Sequence, residues 1–209
     1  LVVAALTERS EASVLPLLHA VLDSDSEDAR LTAMRAIAVH GDVSSVEPLC
    51  AIIEKTENRQ ERMASVETLR RLPGDDVNNA LIQRMTTAPE SVRGDLMDVL
   101  AQRNVVEAVN AIIDQIQYDA MRPAAFRALT HIVEPERLPE MLALLAALKD
   151  DNGRPEAEST VAALCTRIAA KDGQQDKVAA VLENRLEQSA SNPEKVSLLR
   201  ILGRLGGEA

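Results

Sequence analysis

Few side chains in this chain could do chemistry, and their spacing limits what that chemistry could be. The densest group is the run Asp23-Ser24-Asp25-Ser26-Glu27-Asp28. Carboxylates at its first, third and fifth positions match the opening of an EF-hand calcium loop. The sixth position is Asp28 rather than the glycine such a loop needs, and the twelfth is Met34 rather than a bidentate glutamate. The run therefore reads as a turn leading into a helix. Asp25 or Ser26 would serve as the N-cap, with the other acids lying against the positive end of the helix dipole.

The remaining candidates are scattered. His19, His40 and His131 fall in different segments and form no His-x-x-x-His or His-Glu pair, which argues against a zinc hydrolase or any other metal site. Cys50 and Cys165 are expected as separate buried thiols, too far apart for the ~7 Å Cα separation a disulfide requires. Neither has a histidine placed to activate it as a nucleophile. No glycine-rich phosphate loop is present, and Gly203-x-x-Gly206-Gly207 reads as the fraying end of a helix. No catalytic residue, cofactor or metal is expected.

Charge narrows the partners. With 23 Lys and Arg against 33 Asp and Glu, the formal net charge is −10. A field of that sign repels nucleic-acid phosphates and anionic lipid surfaces. No apolar run approaches the ~20 residues of a membrane-spanning helix, so membrane insertion is not expected. Against the acidic background, Arg70, Arg71, Arg127 and His131, with Arg200 and Arg204 further on, are local basic groups. Guanidinium clusters of this kind suit the carboxylates of an acidic peptide or protein partner.

The elements that must position these groups are helices. Aromatic residues make up 1 % of the 209-residue chain, namely Tyr118 and Phe126, so its cores must be built from Leu, Ala, Val, Ile and Met. Arg30, Arg62, Arg93 and Arg122 recur at intervals of 32, 31 and 29 residues. Apolar or small residues follow each at three, four and seven positions, as in Ala33, Met34 and Ile37 after Arg30. That spacing lays one stripe along a helix. Weaker copies begin at Ala157 and Lys195. Between these B helices lie A helices with their own stripes. They are Val14/Leu17/Leu18/Val21, Val46/Leu49/Cys50/Ile53, Leu81/Ile82/Met85, Val106/Val109/Ile113, Leu138/Met141/Leu142/Leu145 and Val178/Val181/Leu182. The expectation is all-α, with about six helix pairs preceded by a leading helix at Leu1 to Leu6. One exposed column of the B helices reads Arg35, Glu67, Asp98, Arg127, Ala162, Arg200. Its alternating signs predict ion-pair ladders, Arg35 with Glu67 and Asp98 with Arg127.

Residues 23–53 resemble the HEAT-like repeat described in phycobilisome lyases. The matching features are Asp23-x-Asp25, Arg30, Ala33 with Ala36-Ile37, Gly41-Asp42 and Val46-x-Pro48-Leu49. The resemblance implies a right-handed α-α superhelix, a HEAT-like solenoid with B helices on its concave side, running as a single domain over residues 1–209. It further implies that Asp25 pairs with Arg30, and Asp119 with Arg122 in a weaker copy. The function it implies is a non-catalytic scaffold for protein-protein interaction through the concave B face. An accessory module of a larger redox or carbohydrate-active enzyme is the alternative, and a bilin-lyase-like protein a remote one. The chain opens in mid-repeat, which leads to the expectation of a fragment of a longer array with end-to-end contacts through uncovered terminal helices.

Overall fold

The structure is a computed structural model that describes residues 14–170 and 174–206. Among these residues there are twelve α-helices and no strand. In chain order they are α1 (Leu15–Val21), α2 (Glu27–His40), α3 (Val46–Lys55), α4 (Arg59–Arg71), α5 (Asp75–Thr87) and α6 (Glu90–Gln102). Then come α7 (Val109–Ile113), α8 (Arg122–Ile132), α9 (Leu138–Ala147), α10 (Arg154–Ala169), α11 (Gln175–Gln188) and α12 (Asn192–Gly206). The leading helix expected at Leu1 to Leu6 lies outside the described residues. The chain divides into two compact units, Leu1–Val105 and Val106–Ala209.

Within each unit the helices pair as antiparallel neighbours joined by short turns. In the first unit α1 packs on α2, α3 on α4 and α5 on α6, and the second members α2, α4 and α6 stack in order. In the second unit α7 packs on α8, α9 on α10 and α11 on α12, with α8, α10 and α12 stacked the same way. Local chemistry sets the boundaries. Ser26 caps α2 by accepting the Ala29 N–H, and Asn58 caps α4 by accepting from Gln60 and Glu61. Proline occupies the first turn of α1, α8, α9 and α10, where its missing N–H costs nothing.

The cores follow the apolar stripes. Met34, Ile37, Leu49, Leu69, Leu81, Leu96, Met97, Phe126, Leu129 and Leu164 are all essentially inaccessible. Burying each such side chain contributes about 1.5–3 kcal/mol. The stripes fail where the helical period slips. Around α7 the chain turns as 3-10 helix at Val106–Ala108 and again at Asp114–Gln117, so Val105, Ile112 and Ile116 are buried while Val106 is exposed. On α1 Leu17 faces solvent, and on α11 Val181 does.

The arginine that opens each B helix reaches back to the end of its own A helix or the turn after it. Arg30 donates to the Ser24 carbonyl, and Arg62 Nη1 to that of Ile53 at 2.9 Å. Arg93 holds Ala88 O at 3.0 Å, and Arg122 Nε holds Ile116 O at 3.0 Å. Carbonyls at a helix C-terminus lack an intrahelical donor and carry the negative end of its dipole, so a guanidinium answers both needs. Several of these cations also meet a carboxylate from the next hairpin: Arg30 with Glu61, Arg62 with Asp95 at 2.7 Å, and Arg122 with Asp150 at 3.2 Å. Asp119 pairs with Arg122 as anticipated. Asp25 does not hold Arg30; it is exposed, and Arg30 turns to the buried Glu61 instead.

The last two copies are keyed to other residues, although in α10 the expected stripe Ala157, Thr160, Val161 and Leu164 is buried. Helix α10 opens on Arg154, whose Nη2 donates to Leu148 O at 2.8 Å as the earlier arginines do. Its stripe is Ala157, Glu158 and Val161, all buried. Helix α12 is registered by Glu194, not Lys195: Ser197, Leu198 and Ile201 are inaccessible, whereas Leu199 is 56 % exposed. Here the charges are reversed. Glu194 on the B helix accepts from Arg185 Nε on the A helix at 2.6 Å and from Ser189 Oγ at 2.6 Å.

Candidate interaction surface

The basic residues predicted for partner binding divide by their commitments. In the first unit Arg70 makes a two-point bond to Glu67, with Nε at 2.8 Å and Nη2 at 2.6 Å, and Arg71 Nε reaches the same carboxylate at 2.5 Å. The Arg70 hydrogen bonds hold Glu67 below the usual carboxylate range, with Arg71 assisting. Glu67 is thus occupied within its own helix, and the ladder from Arg35 does not form. In the second unit Arg127 is 54 % exposed on its side chain and lies 3.7 Å from Glu156, beyond hydrogen-bond reach. His131 follows one turn later and is exposed. Arg204 is also exposed, and Arg200 projects from α12 with Nη1 3.2 Å from Glu158.

Helix α10 contributes Ala162, Ala163 and Thr166, and α12 contributes Gly203 and Arg204, to a cleft of about 640 Å3. Ala169 and Ala170 at the end of α10, Gln175 at the start of α11 and Leu205 complete the lining of this trough, with Arg204 beside them. A second cleft of about 490 Å3 lies at the opposite ends of the same two helices, bordered by Asp151, Arg154, Asn192, Val196 and Arg200.

The groups suited to covalent chemistry are sequestered. Both cysteines are free and buried, and desolvation pushes their thiols up to about 12 for Cys50 and about 11 for Cys165. At neutral pH neither carries the thiolate a nucleophile needs. His19 Nε2 lies 2.9 Å from Ser45 Oγ, and Asp42 is close enough to bias the imidazole toward its charged form, although burial outweighs it and lowers the pKa. The grouping has the residue types of a hydrolytic triad but not its geometry. Ser45 is fully inaccessible, and the Asp42 carboxylate is bonded to the Ser44 N–H and hydroxyl. His19, Arg30 and Glu61 border a cleft of about 510 Å3 in the first unit. Among the described residues, no three His, Cys, Asp or Glu side chains converge as a metal site would require, and no helix is long and apolar enough to cross a membrane.

Sequence reading missed four groups that matter here. Arg154 was signalled by its Arg-Pro dipeptide, which repeats Arg122-Pro123 at an interval of 32 residues. Glu158 sits where Met34, Met97 and Phe126 stand in other copies, and its Oε1 accepts from Ser197 Oγ at 2.7 Å. Glu61 gave no signal beyond standing next to Arg62. Arg103 sits at the end of α6, where it binds the Leu69, Arg70 and Leu72 carbonyls and closes the C-terminus of α4.

No family model matches this chain, and no curated protein matches it. Among solved structures it is similar to an engineered protein crystallised by the Northeast Structural Genomics Consortium, at 17 % identity and a TM-score of 0.43. The match covers 97 % of this chain and 60 % of that one, so the chain spans about 60 % of the length of the structure it resembles. At that identity and TM-score, neither fold nor role is carried from one to the other.

Proposed function

We propose that this chain is a non-catalytic interaction module, a HEAT-like α-solenoid that binds an acidic segment of a protein partner along the face shared by its B helices. The observation that carries this reading is the second unit's stacked face. There the small residues of α10 form a trough about 640 Å3 in volume, and Arg127, His131 and Arg204 stand exposed on the helices to either side. A peptide laid in the trough would place carboxylates within reach of Arg204, and Arg127 and His131 are exposed on the neighbouring helix α8. On a chain of net charge −10, such a patch selects acidic partners by contrast with its surroundings. The recurrent arginine and the ordered stacking of B helices support a solenoid of the HEAT-like kind, whose shared face is its usual binding surface.

The test is fluorescence anisotropy with a labelled glutamate-rich peptide at about 0.15 M salt, a condition that screens long-range attraction. Saturable binding to the native chain should be lost in the double variant Arg127→Glu/Arg204→Glu while its far-ultraviolet circular dichroism is unchanged. Undiminished binding by that variant would remove the basis of the reading.

A further inference from the structure

Four buried side-chain polar atoms among the described residues lack a hydrogen-bond partner: Arg84 Nε, Asp95 Oδ2, Arg154 Nε and Arg154 Nη1. Three of them lie close to an opposite charge. Arg84 Nε is 3.1 Å from Glu47, Asp95 Oδ2 is 2.7 Å from Arg62, and Arg154 Nε is 3.4 Å from Asp151. Arg154 Nη1 is the exception. Its residue is only 6 % exposed, and this nitrogen has no protein partner. Leaving a buried guanidinium N–H unsatisfied is costly, and native proteins seldom do so without a reason.

The repeat pattern shows what is missing. Arg30, Arg62 and Arg122 each meet a carboxylate from the following hairpin. In the last hairpin Glu194, in the first turn of α12, is held by Arg185 and Ser189 of its own hairpin. Among the described residues no ion pair joins Arg154 to the α11–α12 hairpin, and its carboxylate neighbour is Asp151 of its own turn at 3.4 Å. A cleft of about 490 Å3 opens at this junction, bordered by Arg154, Asp151, Asn192, Val196 and Arg200. Arg200 adds a second cation that is 60 % exposed on its side chain.

We infer that the cleft between the N-terminal ends of α10 and α12 receives one carboxylate of the acidic partner, with Arg154 as its anchor and Arg200 at its rim. The partner supplies from outside what the next hairpin supplies at the earlier junctions. A carboxylate is the fitting group because that is what the same arginine position binds at those junctions. The inference rests on the interaction reading above and adds a defined anchoring point, distinct from the trough beside Arg204.

The probe is the same labelled glutamate-rich peptide, with two variants of the full chain. Arg154→Gln removes the anchor and should weaken binding roughly tenfold or more, the effect of losing a charge-assisted pair. Val196→Glu, at a half-exposed position bordering the cleft, places a carboxylate there from within the protein. It should raise the melting temperature and weaken the peptide to the same extent, so the test does not depend on Arg154→Gln folding well. Binding that is lost in both variants supports the inference. Binding that persists in both but is lost in Arg127→Glu/Arg204→Glu overturns the cleft and leaves the interaction reading standing. No binding by the unmodified chain overturns both.

Discussion

Replacing Glu61 by glutamine tests whether the arginine-carboxylate junction holds successive hairpins together. Glu61 is 5 % exposed and accepts Arg30 Nε at 2.8 Å, a second Arg30 N–H, and Thr56 Oγ1 at 2.8 Å. Burial favours its protonated form, but the Arg30 and Thr56 hydrogen bonds outweigh this and hold its pKa below the usual value. Glutamine preserves the shape and one acceptor, removes the charge, and turns an amide N–H toward donors. Breaking a fully buried pair costs about 3–5 kcal/mol. An exposed pair is worth ~0.2–1 kcal/mol. The Arg30 side chain is 23 % exposed and keeps its bond to Ser24 O, so partial hydration softens the loss. The expected cost is therefore about 2–3 kcal/mol, or roughly 5–10 °C in melting temperature for a chain of this length.

Urea denaturation of the native chain, Glu61→Gln, Glu61→Met, Arg30→Met and the double variant Arg30→Met/Glu61→Met provides the measurement. The double variant should recover much of the loss, because an apolar pair leaves no uncompensated charge. The pH dependence follows from the depressed carboxyl. The unfolded chain binds the proton first, so the Glu61 contribution is complete above the ordinary value of 4.5 and fades as the pH falls through the folded value. A Glu61→Gln cost below about 0.5 kcal/mol, or strictly additive single variants, would refute the junction as a source of stability.

Glu158→Met should behave oppositely, staying within about 1 kcal/mol of the native chain or exceeding it, since Arg200 is solvated and Ser197 retains its bond to Pro193 O; urea midpoints decide it. Gly153→Ala should cost about 1–2 kcal/mol, because Gly153 has φ +78° and an added Cβ would lie 2.9 Å from Arg122 Cγ. Gly203→Ala, where a Cβ meets nothing within 4 Å in a helix, should instead stabilise by about 0.5–1 kcal/mol, and the two melting curves should move apart. Because burial lowers the pKa of His19, the folded state favours neutral imidazole. Stability should be complete above pH 6.5 and decline as the pH falls from there toward the folded value, a step that should vanish in His19→Gln when unfolding is followed between about pH 7 and pH 5.

The B helices were legible because positions three, four and seven after the opening arginine are apolar or small and, Val66 aside, buried. The rule broke where a buried position holds a polar pair that satisfies itself. Glu158 and Ser197 occupy stripe positions and bond to each other, so a reading based on apolar spacing slid to Ala157 and Lys195 instead. Around α7 the failure was one of period, since 3-10 turns rotate the chain faster than an α-helix and expose Val106 in place of Val105. For the basic residues, the sequence shows their types but not their commitments. Glu67 lies three and four residues before Arg70 and Arg71, the spacing at which helical side chains meet, so its capture was readable from local geometry. The 3.7 Å approach of Arg127 to Glu156 was not, because it depends on how α8 and α10 pack.

The reversed pair in the last hairpin bears on why the surface lies where it does. Glu194 sits in the first turn of α12 and Arg185 in the last turn of α11, so each charge complements the dipole of its own helix. An arginine opening a B helix, as in the earlier hairpins, opposes that helix's dipole and is balanced by the A-helix carbonyls and by a neighbour's carboxylate. Viewed alone, the reversed hairpin is the better local solution. The preceding hairpin leaves Arg154 buried with Nε and Nη1 without a hydrogen-bond partner. A chain shaped only for stability would supply a carboxylate at this junction, and half-exposed Val196 offers a place for one. That it carries valine there, beside two guanidinium groups and an open cleft, is the pattern expected when the missing charge belongs to a partner.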